Sequence, residues 1–243
     1  MEDDEYRRMA DTEYRHWWYA ATRALLAQEL GPRLPNNGLF FDAGGGTGAT
    51  GSWMTSAGSV IAGDLVPSAL ATYVAAHPAT TGAAACDLTR LPFVDGAFDA
   101  VLCVTVLYHA AIRNPAAAVT ELARVTKPGG HVCLLEPGVR RLRRAHDRVT
   151  HGARRFALVD LRQLAIGAGL TIERATGAHS YLVPPATIKA LFERGKSESD
   201  LASNEGGLGG VLARAAAVER AVLRRTSLPT GLSVVVIGRR PLR

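Results

Sequence analysis

Three aspartates each close a short apolar run, and a glycine-rich turn follows the first of them. Asp42 ends Leu39-Phe40-Phe41 and leads straight into Ala43-Gly44-Gly45-Gly46-Thr47-Gly48. Asp64 ends Val60-Ile61-Ala62-Gly63, and Asp87 ends Ala83-Ala84-Ala85-Cys86. An apolar run that breaks at glycines reads as a buried strand turning sharply into a helix. Gly44, Gly46 and Gly48 carry no side chain to hold a ligand off the backbone. A carboxylate at the first strand end suits a cationic group beside the turn; one at the second strand end accepts hydrogen bonds from ribose hydroxyls. The loop also contains Gly46-Thr47-Gly48-Ala49-Thr50-Gly51, a literal Gly-x-Gly-x-x-Gly with Asp64 at the distance of a ribose-binding acid. The loop alone thus indicates a nucleoside-like ligand and leaves a nicotinamide dinucleotide open.

The flanking segments must position these acids. Arg15 to Leu26, with His16-Trp17-Trp18-Tyr19 and Arg23, reads as an amphipathic helix ending near Gly31-Pro32. Its aromatics either staple the helix to the domain or cover the ligand. Pro67 starts a helix after the second strand. Ala100–Leu107 is a central strand, β-branched and apolar as burial on both faces requires, with Val104 near its end and Tyr108-His109 beyond. His109 is either a general base or a brace of its loop. Asn114-Pro115 caps a helix that ends at Lys127-Pro128-Gly129-Gly130, and His131–Glu136 is the fifth strand. Leu158–Gly169 is a helix and Leu170–Arg174 a strand. Residues 181–228 are an insertion with helices near Thr187–Arg194 and Leu208–Arg225, and Leu232–Gly238 is the last strand.

Taken together, these motifs resemble the class I S-adenosylmethionine-dependent methyltransferases of the type 11-like kind. The resemblance rests on Asp42 with Gly44, Gly46 and Gly48, on Asp87-x-x-x-Leu91-Pro92-Phe93-x-Asp95-x-x-Phe98-Asp99, and on Leu122-x-Arg124-Val125-x-Lys127-Pro128-Gly129-Gly130. It is strong over Phe40–Glu136 and looser in the flanks. It implies a doubly wound, Rossmann-like seven-stranded α/β sheet, with an N-terminal helical cover and a helical insertion before the last strand, which is inserted at the edge. The whole chain would be one domain: residues 1–35 the cover, 36–138 the cofactor core, 139–157 a basic lid-like segment. The resemblance also implies S-adenosylmethionine as cofactor, leaving as S-adenosylhomocysteine. Trp18, Arg23, Leu65, Leu88 and Val104 would join the glycines and three acids in holding it, Asp87 on the adenine amino group and Arg23 on the methionine carboxylate.

Seven arginines crowd residues 139–156, just after the fifth strand. This segment is either a solvated basic helix or a lid whose Arg154 and Arg155, with Tyr108, hold an anionic or polyhydroxylated small-molecule acceptor. Phe156 would anchor the two arginines. His146, Asp147 and His151 join His109 as candidates to take a proton from the acceptor. Adjacent His-Asp is poor ligand spacing, so no metal is expected.

The 243 residues, 47% hydrophobic and 21% charged, suit one sizeable soluble domain. No membrane span or basic leader is present, which points to the cytoplasm. Cys86, Cys103 and Cys133 read as buried free thiols. The net charge of +6 admits a nucleic-acid role, but the arginine run lacks interleaved aromatic platforms. An oxidoreductase and an RNA-binding methyltransferase stand as alternatives; the first lacks a Tyr-x-x-x-Lys pair. The oligomeric state is not legible.

Overall fold

The computed structural model describes residues 13, 16–140, 142, 152–192 and 208–242. Helix α1 (Trp17–Glu29) precedes strand β1 (Gly38–Ala43). Then come β2 (Gly58–Asp64), α2 (Pro67–Ala76), β3 (Gly82–Ala85), β4 (Phe98–Val104), α3 (Pro115–Val125) and β5 (Thr126–Pro137). The C-terminal part comprises α4 (Leu158–Gly167), β6 (Thr171–Ala178), α5 (Val183–Phe192), α6 (Leu208–Leu223) and β7 (Ser233–Arg239). The seven strands form one sheet in the order β3-β2-β1-β4-β5-β7-β6. β1 to β5 pair in parallel, and β7 runs antiparallel between β5 and β6.

Two-sided burial explains the strand sequences. Phe41, Val101, Cys103 and Leu134 face one layer with Leu122, Phe156 and Leu161. Their neighbours Phe40, Leu102, Cys133 and Leu135 face the other, with Leu25, Leu26, Leu30 and Leu223. Successive strand side chains point to opposite faces, so each layer takes alternate residues. In α1 the buried positions Tyr19, Thr22, Leu26 and Glu29 recur every three or four residues. Each of Leu25, Leu26 and Leu30, buried completely or nearly so, contributes roughly 1.5–3 kcal/mol of transfer free energy. The Asn114 side chain accepts from Ala117 N at 3.1 Å, capping α3 with Pro115 in its first turn. The three cysteines are free and buried.

Three expectations need correction. β7 is not an edge strand: it lies inside the sheet, and β6 takes the edge. The glycine turn does not lead into an α-helix; Ser52–Ser56 is a short 3-10 turn. β5 begins at Thr126, so it takes in the Lys127-Pro128-Gly129-Gly130 stretch expected to lie outside it.

α1 bridges the molecule. Gln28 Nε2 donates to the Arg220 carbonyl of α6 at 3.0 Å, and Arg174 of β6 pairs with the buried Glu29 at 2.9 Å. The cover and the insertion therefore support one another.

Candidate functional site

All strands parallel to β1 end on one edge, and the acids of the first three gather there. Asp42 is 3% exposed; its Oδ2 accepts from Tyr73 Oη at 2.9 Å. Gly51 closes over it: a Cβ at that position would lie 2.0 Å from Asp42 Oδ2. Burial, opposed by the Tyr73 hydroxyl and reinforced by Asp64 and Glu13, pushes the Asp42 carboxyl up to about 7. Asp42 therefore lies beneath the turn with little surface for direct contact. Asp64 is more available. Its Oδ2 accepts from Gly46 N and its Oδ1 from Val66 N, both at 3.0 Å, and each oxygen keeps a lone pair. Asp87 is exposed and uses Oδ1 alone on the Thr89 amide and hydroxyl, both at 2.8 Å.

The turn itself is shaped by its neighbours. Gly44 adopts φ 72°, and a Cβ there would meet Val106 Cγ2 at 2.4 Å, so only glycine lets the two loops meet. Leu65 is 60% exposed beside Asp64, a bare apolar surface at the ligand edge. Leu88 is buried in the core with Phe41 and Cys86, and Val104 packs against the core cluster that includes Leu25. Arg23 reaches over the turn from α1; its guanidinium donates to the carbonyls of Glu13 at 3.1 Å and Ala49 at 3.3 Å. Glu13 is 3% exposed and accepts from the Thr47 hydroxyl, so a third buried acid overlooks the turn. Burial raises its carboxyl too.

The other half of the edge is built differently. Glu136, near the end of β5, is fully buried and accepts from the amides of Val106 (3.0 Å), Leu107 (2.8 Å) and Tyr108 (3.1 Å). Burial pushes its carboxyl up to about 8 against the pull of those amides. They pin a strained turn: Thr105 sits at φ 53°, a left-handed conformation costly for a β-branched residue. Arg154 braces the same turn from outside, donating to the Leu107 carbonyl at 2.8 Å and that of Ile112 at 2.7 Å. His179 follows β6 at φ 52°, buried, with its amide and that of Ser180 on the Glu219 carboxylate at 2.6 and 2.7 Å. Burial drives its imidazole down to about 4, with Arg220 adding to the shift.

The sequence-derived candidates sort as follows. Asp42, Asp64, Gly44, Gly46, Gly48 and Arg23 converge on one loop, and Asp87 and Leu65 flank it. Trp18 lies at the other half: its ring is 5.0 Å from Tyr19 and 5.9 Å from His179. His109 accepts from Ala111 N through Nδ1 at 3.1 Å and bridges to Gly152, so it braces its loop. The Tyr108 carbonyl accepts from Ala153 and Arg154. Arg155 bonds the Gly138 carbonyl at 3.1 Å and lines a shallow groove with Arg140 and Asp160, between the starts of α3 and α4. Phe156 is buried and anchors this stretch as anticipated. His146, Asp147 and His151 lie outside the described residues. Glu13, Glu136, His179 and Glu219 were missed. Only Glu136 carried a signal, as an acid in a strand end otherwise apolar. Among the described residues no cluster of His, Cys, Asp and Glu suits a metal, and no helix is long and apolar enough to cross a membrane.

A parallel sheet ending in β7 antiparallel between β5 and β6, with strand-end acids around a glycine turn, is the fold of the Rossmann-like methyltransferases. Residues 41–134 match the model of the methyltransferase domain family. It is 35% identical over 122 residues to demethylmenaquinone methyltransferase of Mycobacterium tuberculosis, 49% of this chain and 47% of that protein. A stretch of 47 residues is 53% identical to an uncharacterized methyltransferase of Schizosaccharomyces pombe, covering 19% of this chain and 16% of that one. The chain thus spans less than half the length of the curated relatives it matches. Among solved structures, the Haloferax volcanii methyltransferase captured with the activator Trm112 superposes with a TM-score of 0.63 at 20% identity, over 98% of this chain and 94% of that one. Phosphoethanolamine N-methyltransferase 2 of Haemonchus contortus, in complex with S-adenosyl-L-methionine, gives 0.60 at 17% identity over 92% and 53%. These two likenesses concern the fold.

Proposed function

We propose that this chain transfers a methyl group from S-adenosylmethionine to a small-molecule acceptor. The observation that carries the reading is the gathering of Asp42, Asp64 and Asp87 at three successive strand ends around a turn whose Gly44, Gly46 and Gly48 all have positive φ. This surrounding fits the ligand's chemistry. The free lone pairs of Asp64 suit a pair of ribose hydroxyls, the unused Asp87 oxygen suits the adenine amino group, and exposed Leu65 suits the ring's apolar face. The excess of buried carboxylates over the single Arg23 guanidinium favours a ligand bearing an ammonium and a sulfonium. Arg23, already over the turn, suits its carboxylate.

The rival dinucleotide reading fares poorly on the same residues. A pyrophosphate needs a helix N-terminus behind the glycines, and here a five-residue 3-10 turn follows. Gly51, the last glycine of that fingerprint, serves instead to make room for the Asp42 carboxylate. Two acids beside the turn would repel phosphate.

When bound, the cofactor supplies an electrophilic methyl carbon whose bond to sulfur breaks, the pair staying on sulfur, as the acceptor's lone pair forms the new bond. The protein's share is alignment and exclusion of water. The strained turn at Thr105–Tyr108, held by Glu136 and Arg154, stands between the two halves of the edge and sets the approach of the acceptor. Arg154 contributes as a brace of that turn. Calorimetry tests the reading: S-adenosylhomocysteine should bind at micromolar concentration or below, and NADH should not. The reverse result would overturn it.

A further inference from the structure

Six rings from opposite ends of the chain run together at the β5–β7–β6 side of the ligand edge. Trp17 lies 5.7 Å from His16, His16 6.2 Å from Tyr19, and Tyr19 5.0 Å from Trp18. Trp18 continues to His179 at 5.9 Å and His179 to Tyr181 at 6.4 Å. Each step is within the range of stacked and edge-on aromatic pairs. His179 is joined to the sheet through Ser233, whose Oγ is 3.4 Å from Nδ1; Ser233 pairs with Pro137, the residue after Glu136. Five residues after Trp18, Arg23 reaches the glycine turn. Trp18 therefore lies about one and a half helical turns from the residue that reaches the glycine turn.

Packing alone leaves part of this array unexplained. Its two ends carry buried polar atoms without hydrogen-bond partners among the described residues: His16 Nε2 and Trp17 Nε1 at one end, Tyr181 Oη at the other. Buried polar groups are normally paired, and each unpaired one costs about 1–3 kcal/mol. Their chemistry is defined. His16 Nδ1 accepts from Trp18 N at 3.2 Å, so the neutral ring carries its proton on Nε2. Burial keeps that imidazole neutral, as it does His179. The indole nitrogen is a donor only. Two N–H donors and a hydroxyl thus await acceptor oxygens, and every ring in the array is uncharged. Trp17, Trp18 and Tyr181 are half-buried, so the array is not sealed.

We propose that this ring array is the acceptor wall, and that it takes a flat aromatic compound bearing hydroxyl oxygens, one of which is methylated. The inference rests on the methyltransferase reading above. The ring would lie against the half-exposed Trp18, behind which His179 is buried, with its oxygens accepting from the unpaired donors. In the reaction a hydroxyl oxygen bonds the methyl carbon, the carbon–sulfur bond breaks with its pair on sulfur, and the hydroxyl proton leaves to solvent. The rings themselves offer no charge to an anionic acceptor; the charges beside them are Glu219 and Arg220, which act on His179 and Tyr181.

The probe is 2,3-dihydroxynaphthalene, titrated against the full chain with saturating S-adenosylhomocysteine while tryptophan fluorescence is followed. Two of the three tryptophans lie in the array, so quenching reports directly on it. Quenching should saturate, and with S-adenosylmethionine the probe should gain one methyl group by mass spectrometry. Trp18→Ala should weaken the probe about tenfold, the loss of one aromatic contact and its buried area. Tyr181→Phe, which removes only a hydroxyl, should weaken it several-fold, and both variants should bind S-adenosylhomocysteine as the parent does. Cofactor binding without probe binding overturns this inference alone, as does unchanged probe affinity in both variants, or preferential binding of glucose 6-phosphate. Probe binding without cofactor binding overturns the reading beneath it.

Discussion

The two halves of the ligand edge use carboxylates differently. At β1–β3, Asp87 is exposed with one oxygen unused, and the buried Asp64 accepts one backbone amide on each oxygen. At β5–β7, Glu136 is fully buried and takes three backbone amides across one turn, and the half-buried Glu219 takes two. We propose that the first half recognises the ligand and that the second holds a shape. The shape it holds is strained at Thr105 and His179, both at positive φ, and such backbone persists only where surrounding bonds over-determine it. The contrast predicts that damage on one side appears in ligand affinity and on the other in stability.

Glu136→Ala tests this most severely. It would leave three buried amides unpaired beside a strained turn, a loss of roughly 3–5 kcal/mol in stability by urea denaturation. A stable Glu136→Ala protein with poor cofactor binding would reverse the assignment of the two halves. Asp64→Ala comes next and should do the opposite, weakening S-adenosylhomocysteine by about 1.5–3 kcal/mol in calorimetry. Its fold should survive with a smaller stability loss than Glu136→Ala, since two amides, Gly46 N and Val66 N, lose a partner there and three do at Glu136. Arg154→Ala should cost about 1–2 kcal/mol of stability, the loss of two charge-assisted bonds to carbonyls, with cofactor affinity nearly intact. Lost cofactor affinity in that variant would place Arg154 in the cofactor half.

The smallest effect is a slope with pH. Asp42 is raised to about 7 and Glu136 to about 8, so the folded chain holds protons that the unfolded chain has already released. Their stabilisation is complete at low pH and is lost as pH rises through those values. His179, lowered to about 4, acts in the contrary sense, but only below its ordinary value of 6.5. From about pH 6.5 to 8 the stability of the ligand-free protein should therefore fall, by no more than about 1.4 kcal/mol per pH unit for each proton. Saturating S-adenosylhomocysteine, whose ammonium draws the Asp42 proton off, should abolish the part of the slope near 7 and leave the part near 8. A slope that the ligand leaves unchanged would mean that Asp42 does not sense it.

Legibility divided along the same line. The acids of β1–β3 follow apolar runs and adjoin glycines, so strand period and turn chemistry locate them in one dimension. The residues of the other half depend on contacts across the chain: Glu219 meets His179 across 40 positions, and Trp18 meets His179 across far more. No local pattern marks such pairs. Arg154 and Arg155 illustrate the converse. Their charge and placement after β5 suggested an acceptor clamp, but a guanidinium with five donors satisfies nearby carbonyls equally well. The doubly wound sheet followed from the resemblance, but the place of β7 did not, because an apolar strand of period two fits an edge or an interior position alike. Gly51 was read as part of a phosphate loop; its real constraint, the carboxylate of Asp42 behind it, lies nine positions back.

β6 touches the sheet only through β7. During synthesis the chain emerges in order, and β6 exists for some sixty residues before its partner does. β1 to β5 can pair as they appear, because each finds its neighbour already made. β6 and the insertion cannot settle until the final strand slides between two strands that precede it, a closure of long loops that comes late in folding. Until then the hydrogen-bond donors and acceptors on both sides of the gap are open edges. Strand β7 is therefore the step that turns a five-stranded parallel sheet into the complete seven-stranded one, and ribosomes that release the chain short of Ser233 would yield a protein with its β7–β6 side unformed.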